Sequence, residues 1–197
     1  KALPDLPDSI GVAGPFVGVH NDALIVAGGA NFPIPAGGDL WEVPKVYHDS
    51  VWVLTRQKAE GEEFVYEWKT GFKLKNPVGY GMCVSTKKGL VCIGGQTGEA
   101  VFTDVFRLEW NAETKTLKQT KLSALPEACT GGAAAVIDDV VYVAGGQSGT
   151  GWRHRGDPGG SSALGGAHEG WSIQRDCTPG YSSWPFPDCR EGLFDVF

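Results

Sequence analysis

The chain has 197 residues, 42% hydrophobic and 20% charged, which is the composition of a folded globular protein of one or two small domains. Its formal net charge of −6 argues against nucleic acid and anionic membranes as main partners. No run of about 18 apolar residues is present, so the sequence predicts no membrane-spanning helix. The 29 glycines are about twice the usual share and predict many tight turns.

The first predicted elements form a β-hairpin. Gly14 to His20 and Leu24 to Gly29 are short apolar segments, and Asn21-Asp22 between them is typical of a two-residue turn. The second strand ends in the pair Gly28-Gly29. The sequence therefore predicts two antiparallel strands closed by a double glycine.

Two more strands complete this first unit. An insertion of roughly Pro33 to Tyr47 separates the hairpin from a predicted third strand at Ser50 to Leu54, and a fourth is predicted at Glu63 to Trp68. Four strands in succession indicate one antiparallel sheet.

A second unit repeats this order. Strands are predicted at Gly79 to Thr86 and Leu90 to Gly95, joined by a turn at Lys87 to Gly89, and then at Val105 to Trp110 and Leu117 to Ser123. Cys83 and Cys92 would face each other in this hairpin, and we expect them to be free buried thiols, because a bridge between directly opposed strands is strained.

A third unit begins and stops. Gly131 to Ile137 and Val140 to Gly146 form another predicted hairpin around Asp138-Asp139, but the pattern ends near Gly149. Residues 150–197 are rich in Gly, Ser, Pro and Arg, contain no Lys and have few β-branched residues, so we expect an irregular segment that adds no strand to this unit. A domain linker or translation in the wrong reading frame would each explain this change. Within the segment, Cys177 and Cys189 do not have metal-site spacing.

The repeat is typical of kelch blades. The glycine pairs begin 66 and 51 residues apart, near the kelch period of about 50. A glycine pair lets neighbouring backbones approach closely, which packing blade on blade requires. The sequence predicts an all-β protein, a kelch-type β-propeller of four-stranded antiparallel blades. Residues 1–149 would hold about two and a half of an expected six blades. An open antiparallel sheet with glycine-rich turns is the alternative.

Several segments resemble one kelch family. They are GVAGPFVG at Gly11–Gly18, GGANFP at Gly28–Pro33, YHD at Tyr47–Asp49, GYG at Gly79–Gly81 and GGQTG at Gly94–Gly98. Together they resemble the cyclically permuted mutarotases, relatives of N-acetylneuraminate epimerase, over roughly residues 3–148. The GVAG segment opens the fifth of six blades in the enteric enzymes and opens this chain, which is the permuted order.

The resemblance implies a reaction and a partner. The reaction interconverts the α and β anomers of free sialic acid, so the implied partner is a small sugar acid and no metal or cofactor is required. The resemblance also implies a catalytic Glu after the second strand of one blade, with an Arg a few positions on. Ala30, Gln96 and Gln147 occupy the corresponding positions, and none is acidic. We therefore expect a weakly active or inactive form whose exposed blade faces promote self-association.

The candidate site residues follow the glycine pairs. The catalytic candidates are His48, Asp49 and Glu99. Each has a structural alternative, because Asp49 can cap the turn into the third strand and the other two can be solvated surface groups. The substrate-binding candidates are Asn31, Phe32, Tyr80, Gln96 and Gln147.

Other interpretations of the function stay open at this point. A kelch propeller can bind a protein or a carbohydrate without catalysis, and the fold alone does not decide. A copper radical oxidase on a related propeller would need a cluster of His and Tyr ligands, which the sequence does not show. The compartment is also open, since a periplasmic or secreted location would require a signal peptide ahead of Lys1.

Overall fold

The computed structural model describes residues 3–34, 38–39, 43–59 and 63–149, and within them it is built from β-strands without a helix. The predicted irregular segment 150–197 lies outside the described residues. Because these described residues form no helix, none of them could cross a membrane as a helix. The strands are β1 (Phe16–His20), β2 (Ala23–Ala27), β3 (Ala30–Asn31), β4 (Val46–Tyr47), β5 (Ser50–Lys58), β6 (Phe64–Lys73), β7 (Met82–Thr86), β8 (Gly89–Ile93), β9 (Val105–Asn111), β10 (Thr116–Lys121), β11 (Ala133–Ile137) and β12 (Val140–Ala144).

The first blade is an antiparallel sheet in the order β1-β2-β5-β6. Asn21 and Asp22 have φ values of 48° and 58°, the left-handed pair that closes a tight two-residue hairpin. β3 precedes the insertion and β4 ends it, and these two strands pair with each other as a short ribbon beyond the glycine pair. The ribbon therefore lies at the end of the blade where the second strand finishes.

The second blade is a separate sheet with the consecutive order β7-β8-β9-β10. The third unit is the hairpin β11–β12, turned by Asp138 and Asp139 with φ values of 50° and 65°. The predicted kelch arrangement is confirmed: residues 14–54 and 79–110 form two sheets rather than one continuous sheet.

The blades pack through opposite faces of their strands. Because successive side chains in a strand point to opposite faces, Leu90 and Cys92 of β8 join the core shared with the first blade, whereas Val91 and Ile93 join the core shared with β12. Phe16 and Phe106 meet edge to face across the first interface, with ring centroids 5.6 Å apart. Each interface is thus an apolar layer between two sheets.

Polar contacts tie the innermost strands together. The backbone N–H groups of Val17 and Val19 in β1 donate to Sγ of Cys83 (3.3 Å) and Oγ of Ser85 (2.7 Å) in β7. At the turn of the first hairpin, Asn21 donates to the carbonyl of Trp110 at 2.7 Å. These bonds fix how far the second blade is rotated from the first.

The opposed cysteines of the second blade are confirmed as a pair without a bridge. Cys83 lies directly across from Cys92 in the register of β7 and β8, and both are free thiols. Burial raises the pKa of both, most strongly for the fully buried Cys92. Cys92 is buried in the core as expected, whereas Cys83 is half-buried and its Sγ is hydrogen-bonded to the backbone of Val17.

Candidate functional site

The three glycine pairs end in the same backbone contact. In each unit the residue after the pair exchanges two hydrogen bonds with a residue just before the first strand of the same unit. The bonds join Ala30 to Ala13 (2.7 and 2.9 Å), Gln96 to Gly79 (3.0 and 2.8 Å) and Gln147 to Thr130 (3.0 and 2.9 Å). The three positions aligned by sequence are therefore equivalent in space, and they gather at one end of the blades.

A second set of backbone bonds runs from blade to blade through Tyr80. Its N–H donates to the carbonyl of Gly14 at 2.7 Å, and its own carbonyl accepts from Gly131 at 2.8 Å. All three residues have a left-handed backbone conformation, with φ of 59° for Tyr80, 61° for Gly14 and 71° for Gly131. A bulky residue in this region is an outlier, costs on the order of 1–3 kcal/mol and is found most often at functional sites.

The Tyr80 side chain contacts Lys45. The Lys45 ammonium donates to the Tyr80 hydroxyl at 3.0 Å and lies 4.9 Å from the centre of the Tyr80 ring. The same ammonium is 5.2 Å from the centre of the Phe32 ring. Two aromatic faces and a phenol thus surround one positive charge.

Gln96 and Tyr47 extend this group. Tyr47 packs edge to face on Tyr80, with ring centroids 6.2 Å apart, and its hydroxyl accepts from Nε2 of Gln96 at 3.3 Å. Gln96 is only 2% exposed, and its Oε1 has no hydrogen-bond partner among the described residues. Whichever way the amide is turned, one of its two polar atoms is buried without such a partner. We call Phe32, Lys45, Tyr47, Tyr80 and Gln96 the Tyr80 cluster.

Asn31 and His48 form a second group on the same ribbon. Asn31 donates through Nδ2 to the carbonyl of Gly11 at 2.9 Å, so its Oδ1 is the acceptor toward Nε2 of His48 at 2.8 Å. His48 therefore carries a proton on Nε2. In the ribbon Asn31 pairs with Val46, whereas Tyr47 pairs with Ala30. Because successive side chains of a strand point to opposite faces, Asn31 and His48 lie on the face of the ribbon away from the Tyr80 cluster.

The remaining candidates lie apart from both groups. The Asp49 carboxylate accepts two hydrogen bonds from Lys73, at 3.0 and 3.2 Å. Glu99 is exposed, and its backbone N–H donates to Thr97 Oγ1 in a local turn. Gln147 is also exposed. The structure thus brings Phe32, Tyr80 and Gln96 together and places His48 and Asp49 with different partners.

Lys45 and Tyr47 were missed as site residues by sequence reasoning. Lys45 is two residues before Tyr47, so strand alternation puts both side chains on one face of the ribbon. That alternation was the available signal, but a two-residue strand inside an insertion is too short to be recognised from sequence.

One cavity lies away from the Tyr80 cluster. It has a volume of about 270 Å³ and lies between the linker 74–78 and the outer strands β9 and β10. Among the residues that the structure describes, no three His, Cys, Asp or Glu side chains gather as a metal site. In chemical terms the Tyr80 cluster offers hydrogen bonds, aromatic faces and one positive charge.

Comparison with known proteins adds sequence relatives, although no family model matches. The chain is 31% identical over 107 residues to the N-acetylneuraminate epimerase of Yersinia enterocolitica, which covers 51% of this chain and 25% of the relative. This chain is related to the N-acetylneuraminate epimerases. It is also 31% identical over 112 residues to the Vibrio cholerae protein of that name, and 29% identical over 135 residues to that of Haemophilus influenzae.

The relationship covers part of each protein. The chain spans about a quarter to a third of the length of these epimerases, and the matches cover 51–60% of the chain itself. A solved protein described as "Structure of YjhT" superposes with a TM-score of 0.49 at 18% identity, over 74% of this chain and 37% of that one. The kelch-type fold rests on the blades of this chain themselves.

Proposed function

We propose that this chain acts on free sialic acid as a mutarotase, interconverting its α and β anomers. The observation that carries the proposal is the relationship to N-acetylneuraminate epimerases over half the chain. The Tyr80 cluster supports it, because a sugar acid needs a positive charge for its carboxylate, hydrogen-bonding groups for its hydroxyls and aromatic faces for its apolar side.

The reaction requires a proton to leave the anomeric hydroxyl while another reaches the ring oxygen, so that the C–O bond of the ring opens and later closes on the other face. The phenols of Tyr47 and Tyr80 each accept one hydrogen bond and keep an O–H to donate toward a sugar oxygen. Gln96 can orient a hydroxyl but cannot shuttle a proton. These residues therefore bind and orient substrate in our proposal, and the Glu and Arg of the resemblance are not among them.

A second candidate is a kelch module that binds a sugar acid without catalysis. The orientation of His48 favours it, since this imidazole is bonded to Asn31 on the face of the ribbon away from the Tyr80 cluster. Without a general acid–base pair, the rate falls by about 10²–10⁴. The two candidates share the binding step and differ in the exchange step.

The test is NMR on the purified full chain. Saturation transfer reports binding of sialic acid, with N-acetylmannosamine as a neutral comparison sugar. Anomer exchange is then followed from α-sialic acid freshly released by a sialidase. We expect selective binding of the acid and an exchange rate above that of buffer, but about 10²–10⁴ below that of a site with its acid–base pair. Binding without any acceleration would favour the second candidate, and no binding would overturn both.

A further inference from the structure

The cavity beside the linker 74–78 is lined by apolar and charged side chains together, and we call it the linker cavity. Its volume of about 270 Å³ is close to the lower end of the range of about 300–1,000 Å³ that is typical of small-molecule sites. The apolar part of the lining includes the buried Leu74, Val78 and Phe106 and the half-buried Phe102. The linker cavity therefore has room for a small ligand with an apolar body.

Two lysines and one aspartate give the linker cavity its charge. Lys75, Lys121 and Asp104 all line it and are exposed. Among the described residues none of these three charged groups has an ion-pair partner, whereas in the first blade Asp49 binds Lys73 at 3.0 Å. Two positive charges and one negative charge leave a balance of one positive charge at the cavity, in a chain whose net charge is −6. An anionic ligand would complement this balance.

Gln119 adds an oriented donor to the same lining. Its Oε1 accepts a hydrogen bond from the backbone N–H of Lys75 at 3.2 Å, and this bond fixes which way the amide is turned. The amide nitrogen Nε2 keeps both of its N–H donors, and no described residue accepts from them. In β10, Gln119 pairs with Leu108 and Lys121 pairs with Phe106, so both side chains lie on the face of β10 toward the first blade. One strand face therefore offers an amide donor and an ammonium.

We propose that the linker cavity binds a small monocarboxylic acid with an aromatic body. The body lies on the apolar side chains, and the carboxylate accepts hydrogen bonds from Lys75, Lys121 and Nε2 of Gln119. One negative charge matches the positive balance, whereas a second would be repelled by Asp104. No residue of the Tyr80 cluster lines this cavity, so the site is separate from the proposed mutarotase site and does not depend on it.

The test uses three probes that separate the charge from the aromatic body. 3-Phenylpropionate has both, 3-phenylpropionamide lacks the charge, and acetate lacks the aromatic body. Each is titrated into the full chain, and the backbone amide NMR shifts of residues 74–78 and 119–121 report binding at this cavity. We expect 3-phenylpropionate to bind at least about threefold more tightly than either other probe, and about 1 M salt to remove its advantage over the amide. Equal affinity for either comparison probe, or shifts confined to other segments, would overturn the proposal.

Variants then assign the charge to the two lysines. The double variant Lys75→Met/Lys121→Met should bind the acid no more tightly than the amide. Lys118→Met is the matched control and should keep the preference, because Lys118 lies on the same strand but pairs with Glu109, on the opposite face. Asp104→Asn removes the like charge and should bind the acid about twofold more tightly. An unchanged preference in the double variant would overturn the assignment, and if that variant does not fold, an unchanged affinity in Asp104→Asn would do so.

Discussion

Gly28 lies so close to the carbonyl oxygen of Val78 that a β-carbon on Gly28 would overlap this oxygen. The same carbonyl accepts a hydrogen bond from the N–H of Gly29 at 2.8 Å. Val78 belongs to the linker that enters the second blade, so the glycine pair of one blade is the docking point for the backbone of the next. Gly94 and the carbonyl of Cys129 repeat this relationship between the second blade and the third unit.

The glycine pairs allow a matched comparison. Gly28 and Gly145 have nearly the same φ, 66° and 67°, but a β-carbon added at Gly145 would have no described atom within 4 Å. Alanine at either position should cost about 1–2 kcal/mol for its left-handed backbone. Gly28→Ala should cost about 1–3 kcal/mol more, because backbone must shift. Urea unfolding of the two variants measures the difference, and equal losses would contradict this account of the pair.

The thiols should differ in reactivity. Burial raises the pKa of Cys92 well above its ordinary value and raises those of Cys83 and Cys129 less strongly. Since the thiolate is the nucleophile, we expect iodoacetamide at about pH 8 to label Cys92 in the folded chain most slowly of the three. Peptide mass spectrometry measures the rates, and the chain in urea serves as the control. A disulfide between Cys83 and Cys92 would contradict the structure.

Glu109 should make stability depend on acid pH. Burial acts to raise its pKa, but hydrogen bonds from Thr120 and Arg107 and the Arg107 charge outweigh burial, so the pKa is lowered. A carboxyl with a lowered folded pKa stabilises the protein above its unfolded pKa, and this stability is lost as the pH falls through the folded value.

We therefore expect the unfolding free energy of the wild type to fall more steeply below about pH 4.5 than that of Glu109→Gln, with a difference of about 0.5–1 kcal/mol at neutral pH. Urea unfolding from neutral pH down to about pH 3 measures both proteins across the range in which this carboxyl titrates. Parallel pH curves would show that this carboxylate makes no net contribution to stability.

His48 should have a structural role. His48→Ala removes the donor to the buried Oδ1 of Asn31, so we expect a loss of about 1–2 kcal/mol in stability and an unchanged affinity for sialic acid. Asp49→Asn weakens an exposed pair with Lys73 and should cost at most about 1 kcal/mol. Thermal unfolding and the NMR titration provide the two readouts. Loss of anomer exchange in His48→Ala without loss of fold would instead make His48 a catalytic base.

Self-association is expected at the third unit. Among the described strands β12 pairs only with β11, and Val136 and Ile137 of that hairpin are 36% and 59% exposed. Unpaired strand edges and apolar surface promote association. Sedimentation velocity over a concentration series should show oligomers, and Ile137→Lys should shift them toward monomer. A monomer at every concentration would disprove the expectation.

The face of the first blade that points away from the second blade is covered, although we expected exposed blade faces. Val26, Trp52 and Leu54 point away from the second blade, yet they are only 5–7% exposed. The N-terminal segment reaches this face, where Trp68 donates its indole N–H to the carbonyl of Pro4 at 3.1 Å. The third unit is therefore the better place to look for association.

Local sequence signals were sufficient to predict the blades. Apolar alternation, Asn-Asp and Asp-Asp turns and glycine pairs predicted the hairpins β1–β2, β7–β8 and β11–β12 and the opposition of Cys83 and Cys92. These features depend on residues close in the chain, whose backbone preferences do not require contacts between blades. The relationship to the epimerases was likewise readable from the motifs around Gly28 and Gly94.

Only the tertiary structure shows which polar groups contact each other. Lys45 and Tyr80 are 35 residues apart, and Tyr47 and Gln96 are 49 apart, so their contacts depend on how the second blade is rotated against the first. The adjacency of His48 and Asp49 in sequence suggested a couple, but alternation along the chain turned the first toward Asn31 and the second toward Lys73. Sequence sets the order of side chains along a strand, whereas packing between blades selects which of them share a site, because that choice depends on contacts between distant residues.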